Sequence, residues 1–225
     1  MQSLPSHRRL LTSLLNSISE IESQPGNTVT SSTTATPPAS SSPLHAIPPS
    51  ERPPLLTLHV LFPNLLLPAL DLLDRGLVQR LCRSKDGSET GDAQPRSIVG
   101  RMDGIFLVRS IATTMSRRGR DPALSSQRYA VHLGAWNCSC ASFTFDAFPT
   151  HAVTAPGQDA ATQLDMSWSF GGLSLDGVGS SAGDVPCCKH LLACLLVHKW
   201  PSMLGRYVET WSVTKEEMAG IMAEI

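Results

Sequence analysis

Two short cysteine motifs, far apart in the chain, constrain the fold more than any other feature. The first is Cys138-Ser139-Cys140 and the second is Cys188-Lys189-His190, which gives the pattern Cys-x-Cys…Cys-x-His. Three thiolates and one imidazole complete a tetrahedral shell around Zn²⁺ and leave no position open for water. Such a closed shell builds structure and does not activate water. We therefore expect one structural zinc ion, with four ligands: Cys138, Cys140, Cys188 and His190.

The spacing within each motif indicates the backbone that must carry it. Cys138 and Cys140 follow a predicted strand, where residues two apart point to the same side. Two residues of a helix differ by about 200° around its axis, which would separate Cys188 from His190. We therefore expect Cys188 at the entry to a helix and His190 in its first turn, with Pro186 just upstream of that helix.

Other cysteines and histidines offer alternatives to this ligand set. A shift of one residue lets Cys187 take the place of Cys188, and unligated cysteines are commonly buried. We interpret Cys194 as a core residue of a leucine-rich helix and Cys82 as structural. His198 is interpreted as a solvent-facing helix end, and His59 and His132 as surface or satisfied core positions. His151 lies in an acidic loop and is the weakest candidate ligand.

Composition excludes several classes of protein. The chain has 225 residues, with 18 Lys and Arg against 19 Asp and Glu, so its overall charge does not favour nucleic acid. Six cysteines, four of them within two residues of another, suit metal binding in a reducing compartment. No apolar run approaches the ~20 residues that span a bilayer. No nucleophile elbow, P-loop or dinucleotide motif is present. We expect neither an enzyme with a small-molecule substrate nor a membrane protein.

The N-terminal third contains a predicted helix and a predicted linker. Leu11, Leu14, Leu15 and Ile18 fall on one helical face, which predicts an amphipathic docking helix over 1–22. The basic, serine-rich start of this segment also fits a mitochondrial presequence. Residues 23–54 are rich in Ser, Thr and Pro and nearly free of apolar residues, so we predict a disordered linker.

The rest of the chain predicts an α+β fold: a small zinc-stapled domain with a short antiparallel sheet, flanking helices and a long loop insertion. Region 55–135 holds a helix near 68–76 and strands near 77–82, 104–111 and 128–134. Region 136–201 is the zinc finger, with a helix over 188–199 and an insertion over 149–186. A C-terminal helix is predicted in 202–225, where Thr214 and Glu217 have capping-box spacing.

The ligand pattern resembles the SWIM-type zinc finger. The segments Cys138-Ser139-Cys140-Ala141-Ser142-Phe143 and Cys188-Lys189-His190-Leu191-Leu192-Ala193 are similar to the SWIM subunit of the Shu complex, whose motif extends to Cys-x-His-x-x-Ala. The likeness covers roughly residues 55 to 200. It implies that Ala193 is a packing position behind the zinc ligands. The 47 residues between Cys140 and Cys188 are more than this motif usually contains, although loop closure disfavours a longer loop by only ~1 kcal/mol.

The resemblance also implies a function. It implies a nuclear, non-catalytic adaptor that binds a RecA-like recombinase paralogue and supports recombinase filaments on single-stranded DNA during homologous recombination, touching DNA through the complex. The alternative is a zinc-dependent nucleic-acid-binding module. Its contacts would lie in the arginine cluster at 96–128, above all Arg117, Arg118 and Arg120. The finger loop itself is a poor DNA surface, because no Lys or Arg occurs between Arg128 and Lys189.

Overall fold

The computed structural model describes residues 7–23, 42–43, 47, 49, 52–84, 104–110, 127–148, 168–172 and 185–225. The helices in these ranges are α1 (His7–Ser23), α2 (Arg52–Leu61), α3 (Leu66–Asp74), α4 (Ala141–Ala147), α5 (Lys189–Lys199), α6 (Pro201–Leu204) and α7 (Lys215–Ala223). The strands are β1 (Val78–Arg83), β2 (Ile105–Arg109), β3 (Arg128–His132), β4 (Asn137–Cys138) and β5 (Glu209–Val213). None of these helices is both long and apolar enough to cross a membrane.

The described strands form one sheet in the order β4-β3-β2-β1-β5. Neighbours from β1 to β4 are antiparallel, as predicted, with Val78 opposite Val108 and Val131 opposite Cys138. The purely antiparallel prediction is wrong at one edge, where β5 runs parallel to β1 with Gln79 opposite Glu209. A parallel neighbour needs a long crossover connection. The connection from β1 to β5 contains strands β2, β3 and β4 and helices α4, α5 and α6. The chain therefore returns to the sheet beside β1 and runs in the same direction as β1.

Helix α5 is the centre of the core. Every residue from Leu191 to Val197 is buried, as expected of a helix that is apolar on all sides. Helices α1, α3 and α6 and strands β3 and β4 pack around it. One cluster of buried residues runs through α1, α2, α3, the sheet and α5. Segments that the sequence suggested as separate units, 1–22, 55–135 and 136–201, therefore share one core, and the α+β class is confirmed.

Helix α1 docks on the chain's own core. Leu11, Leu15 and Ile18 are fully buried, in agreement with the predicted apolar stripe. Lys199 lies at the end of α5, and its Nζ donates a 2.9 Å hydrogen bond to Asn16 Oδ1 in α1. The hydroxyl of Ser19 donates a 3.3 Å hydrogen bond to the Lys199 carbonyl. The predicted docking surface of α1 is thus occupied by α5 of the same molecule.

The predicted linker over 23–54 extends too far. Helix α2 begins at Arg52, and Ile47 is already buried in the core. Pro53 and Pro54 occupy the first turn of α2, where a missing N–H removes no helical hydrogen bond. The prediction included these two prolines in the Pro-rich linker, although they belong to the start of a helix.

Helix α3 also begins two residues before its predicted start at Pro68. It ends in a glycine cap, since Gly76 has a φ of +59°. The Leu77 N–H donates to the Leu72 carbonyl and the Gly76 N–H donates to the Leu73 carbonyl. This is the Schellman pattern, which leads the chain directly into β1.

The C-terminal region is not one helix. The range 202–225 contains most of α6, a 3-10 turn over Gly205–Tyr207, the strand β5 and helix α7. The predicted capping box is present, because Thr214 and Glu217 exchange both hydrogen bonds at the start of α7. Met218 and Ile221 of α7 lie on the second face of the sheet, against a small apolar cluster formed by Leu81, Leu107 and Val213.

A short segment within the predicted insertion over 149–186 is anchored in the core. Phe170 is fully buried, and its ring lies 4.6 Å from that of Trp136 and 5.8 Å from that of Phe62. The Phe170 N–H donates a 2.9 Å hydrogen bond to Thr12 Oγ1 in α1. Arg8 donates to both Ser169 Oγ and the Gly172 carbonyl. We call residues 168–172 the anchor segment, since they tie α1 to Trp136, which lies just before the Cys-x-Cys motif.

Candidate metal centre

The structure brings the four predicted ligands together. One ligand atom from each residue lies within 4.8 Å of all the others, and all four residues are buried: Cys138, Cys140, Cys188 and His190. The His190 Nδ1 lies 3.9 Å from the Sγ of Cys138 and 3.9 Å from that of Cys188. A tetrahedral site with metal–sulfur bonds of ~2.3 Å has ligand–ligand edges of ~3.6–3.8 Å. The two distances from His190 are close to such an edge, so the cluster can hold a metal ion once the ligand atoms that are farther apart, at most 4.8 Å, draw together.

The Cys-x-Cys half is placed by the sheet edge and the start of α4. Cys138 lies in β4 and pairs with Val131. Ser139 is fixed from both sides by Ala130, whose carbonyl accepts from the Ser139 N–H while its own N–H donates to Ser139 Oγ. Cys140 is the N-cap of α4, and its Sγ accepts a 3.3 Å hydrogen bond from the Phe143 N–H. Both sulfurs thus face one point.

The Cys-x-His half has the geometry that its spacing predicted. Cys188 is the extended N-cap residue of α5, and its Sγ accepts a 3.5 Å hydrogen bond from the Leu191 N–H. His190 is the second residue of the helix. Its ring stacks against Tyr129 of β3, with the ring centres 4.6 Å apart. The imidazole therefore contacts the Tyr129 ring on one side and the sulfurs of Cys138 and Cys188 at its Nδ1.

Two hydrogen bonds join the halves independently of the ligands. Trp136 Nε1 donates a 2.7 Å bond to the Pro186 carbonyl, and the Cys187 N–H donates a 2.8 Å bond to Asp146 Oδ2. Sequence reasoning missed Trp136, Asp146 and Tyr129. A tryptophan and a tyrosine beside a metal motif were a usable signal, since the chain is only 5% aromatic.

The three thiols are hydrogen-bonded to one another, and these contacts shift their pKa values in different directions. Hydrogen bonds from Cys138 and then Cys188 hold the pKa of Cys140 well below its usual range. Hydrogen bonds with Cys140 and Cys188, together with burial, raise the pKa of Cys138 far above it. A hydrogen bond with Cys138 lowers the pKa of Cys188, but Cys140 and burial outweigh it and raise that pKa to about 11. Metal binding uses the thiolate form of cysteine, so a bound cation would lower the pKa of all three thiols.

The remaining cysteines lie outside this cluster, and no disulfide joins any of the six. Cys187 is buried, and its Sγ faces the Cys188 carbonyl at 3.7 Å. Burial raises the pKa of Cys187 well above its usual value. Cys194 is fully buried in α5, as the core interpretation predicts, and burial raises its pKa too. The structure thus places Cys188 rather than Cys187 in the ligand group, and Cys82 is half-buried in β1.

The other histidines differ in environment. The interpretation of His198 as a solvent-facing end is wrong, because it is half-buried and its pKa is lowered to about 4 by burial, with Arg80 and Lys199 adding repulsion. Burial also lowers the pKa of His132. The buried Nδ1 of His59 has no hydrogen-bond partner among the described residues. His151 lies outside the described ranges.

Two further predicted positions have different outcomes. Ala193 is fully buried in α5, one turn beyond His190, which suits a packing position. Arg117, Arg118 and Arg120 lie outside the described residues, so nucleic-acid contact at the arginine cluster stays a prediction. Of the same cluster, Arg109 is exposed and Arg128 is half-buried.

Compared with models of known protein families, the chain matches none, and no curated protein matches it at a significant level. The metal centre must therefore be interpreted from its own chemistry.

Proposed function

We propose that Cys138, Cys140, Cys188 and His190 hold one structural Zn²⁺ ion and that the protein is a non-catalytic adaptor built around it. The observation that carries this proposal is the buried set of three thiols and one imidazole, all facing one point. Soft sulfur ligands with one histidine select zinc over hard cations such as Mg²⁺ or Ca²⁺. Four protein ligands leave no open position for a substrate or an activated water, so the ion stabilises the fold.

We further propose that the adaptor acts in the nucleus, in a Shu-like complex, where it binds a RecA-like recombinase paralogue and supports recombinase filaments in homologous recombination. The support is the likeness of the motif Cys-x-Cys…Cys-x-His-x-x-Ala to that family, and the burial of Ala193 is compatible with its expected packing role. Because α5 is enclosed by α1, α3 and the sheet, the partner surface must lie elsewhere than on this helix.

The zinc part of the proposal is tested by metal analysis of the purified full chain. We expect about one zinc per chain by mass spectrometry, in line with a single four-ligand shell. Removal by a strong chelator should unfold the protein, because metal binding and folding are coupled at such sites. A protein that stays folded and retains its partner after complete zinc removal would contradict the structural role.

The adaptor part is tested by tagging the chain in cells and identifying what co-purifies with it. We expect a RecA-like ATPase among the retained proteins and its loss when Cys138 and Cys140 are both changed to serine. Retention of other proteins but no such ATPase would refute the recombination assignment and leave the zinc proposal intact.

The nucleic-acid alternative is separated by titrating purified protein with labelled single-stranded DNA. The adaptor proposal predicts weak binding, with little change on replacing Arg117, Arg118 and Arg120 by alanine. Tight, salt-sensitive binding that this triple variant abolishes, and that the exposed Arg206→Ala variant keeps, would favour the alternative.

A further inference from the structure

An open groove of about 660 Å³ lies between the edge strand β5 and helix α7, remote in the chain from the metal ligands. Strand β5 contributes Trp211, Ser212 and Val213, and α7 contributes Glu217, Gly220, Ile221 and Glu224. The α7 residues follow the spacing of one helical stripe. A volume of this size falls within the range of ligand-binding clefts.

The sheet edge beside this groove has no described neighbour, since β5 is the last strand in the sheet order. The Val213 carbonyl accepts from the Ser84 N–H and so points toward β1. Because backbone groups alternate between the two sides of a strand, those of Thr210 and Ser212 point to the free edge. An extended segment can therefore add to β5 by backbone hydrogen bonds.

The groove has a defined chemistry. Trp211 is 36% exposed, and its side chain shares the second face of the sheet with α7. The lining carries the carboxylates of Glu217 and Glu224 and no basic residue. Glu217 is fixed in place because its Oε2 accepts a 2.9 Å hydrogen bond from the Thr214 N–H. An indole beside two carboxylates suits a Lys or Arg side chain.

Gly220 lines the groove and, having no side chain, leaves space there. A Cβ added at Gly220 would meet nothing within 4 Å, although a glycine inside a helix destabilises it by ~1 kcal/mol relative to alanine. Helix α7 has no fully buried residue, and only the partly buried Met218 and Ile221 pack against the apolar cluster on the sheet. A strand added at the edge of β5 would place alternate side chains in the groove, where they would contact both β5 and α7.

From these features we propose that β5 and α7 form a docking site for an extended segment of another protein, with Lys or Arg at alternate positions. The segment extends the sheet as a sixth strand along Thr210 and Ser212. Its basic side chains lie over Trp211 toward Glu217 and Glu224, and its other side chains point to the opposite face. This inference does not rest on the recombination proposal, which concerns the partner's identity.

The test uses the zinc-loaded full chain and a fluorescein-labelled nine-residue peptide that alternates lysine and threonine. The matched probe alternates glutamate and threonine. Fluorescence anisotropy should show binding of the lysine peptide at least about tenfold tighter than the glutamate peptide, weakening as salt rises. Hydrogen exchange at the Thr210 and Ser212 amides should slow when the lysine peptide is added.

Three variants locate the site. Trp211→Ala should weaken the lysine peptide by about threefold or more, and Glu224→Lys by about tenfold. Gly220→Leu should fill the groove and abolish binding while leaving the melting temperature unchanged or higher, since free space surrounds the glycine. The control is Glu216→Lys, which makes the same charge change on α7 outside the groove and should leave binding intact.

Several outcomes would overturn the proposal. Equal binding of both peptides, or binding unaffected by Gly220→Leu, would show that the groove does not recognise a basic strand. A dimer seen by sedimentation and broken by Gly220→Leu would assign the edge to a second copy of this chain instead.

Discussion

The indole Nε1 of Trp136 donates a 2.7 Å hydrogen bond to the carbonyl oxygen of Pro186. Trp136 precedes the Cys-x-Cys motif and Pro186 precedes Cys187 and Cys188, so the bond joins the two halves of the candidate metal centre. The other side of the indole packs edge-on against Phe170, with the ring centres 4.6 Å apart. Trp136 has a φ of 49°, an unfavourable conformation for a bulky residue. Trp136, whose backbone is strained, thus connects the metal centre to the anchor segment and, through it, to α1.

Replacing Trp136 with phenylalanine tests this connection. Phe keeps an aromatic ring against Phe170 but leaves the Pro186 carbonyl without its donor and opens a small void. We expect the free energy of unfolding to fall by about 2 kcal/mol, measured by urea denaturation of the zinc-loaded protein. Zinc affinity should fall as well, because one of the two hydrogen bonds that join the two halves is lost and only that from the Cys187 N–H to Asp146 remains.

The control for this variant is Trp211→Phe at an exposed position, which should change stability by less than about 0.5 kcal/mol. Equal stability of the Trp136 and Trp211 variants would mean that the ligands alone align the two halves.

The anchor segment depends on a glycine that no other residue can replace without strain. Gly172 has a φ of +52°, and a Cβ there would lie 2.8 Å from the Gly134 carbonyl oxygen. Gly172→Ala should therefore destabilise the protein by about 3 kcal/mol. Because the Gly172 carbonyl also accepts from Arg8, hydrogen exchange should speed up across α1. Gly205→Ala, where a Cβ meets nothing within 4 Å, should be nearly neutral; equal effects would remove the special role of Gly172.

Sequence reasoning worked where the signal is local. The ligand pattern places Cys188 at a helix entry and His190 in the first turn, and that is their observed location. The period of Leu11, Leu15 and Ile18 predicts the buried face of α1, and the spacing of Thr214 and Glu217 predicts the cap of α7. Each of these features is set by residues within one or two turns of each other.

Sequence reasoning failed where the structure depends on contacts between residues that are far apart in the chain. Strand β5 lies within the range 202–225, for which the sequence predicts a helix, although Trp211 and Val213 alternate with Ser212. Four of its five residues are exposed, and its partner β1 lies far earlier in the chain. The anchor segment lies between stretches without a regular apolar pattern. Trp168 and Phe170 therefore fall within the range 149–186 that the sequence predicts to be a loop insertion. Aromatic residues are depleted in disordered segments, so these two side chains were the missed clue. A tyrosine near the motif was a usable signal, but the contact of Tyr129 with His190 depends on how β3 pairs within the sheet.

Adjacent cysteines offer a sharp test of ligand identity. Cys188→Ser should remove zinc and unfold the region around the metal centre, since it deletes one of the four ligands, while the serine hydroxyl can still accept from the Leu191 N–H. Cys187→Ser should keep one zinc per chain, because the Cys187 Sγ faces the Cys188 carbonyl instead of the ligand group. Metal content by mass spectrometry and far-ultraviolet circular dichroism measure both. Zinc loss in the Cys187 variant with retention in the Cys188 variant would reverse the assignment.

His198 should make part of the stability depend on pH. Burial, with Arg80 and Lys199, lowers its folded pKa from 6.5 to about 4. Between these values the unfolded chain binds more protons than the folded one, so this contribution is complete above pH 6.5 and disappears as pH falls toward 4. Replacing His198 with glutamine should flatten the pH dependence by on the order of 2–3 kcal/mol. Denaturation curves from pH 7 to 4.5 measure it; parallel curves for both proteins would show that acid acts through the metal ligands alone.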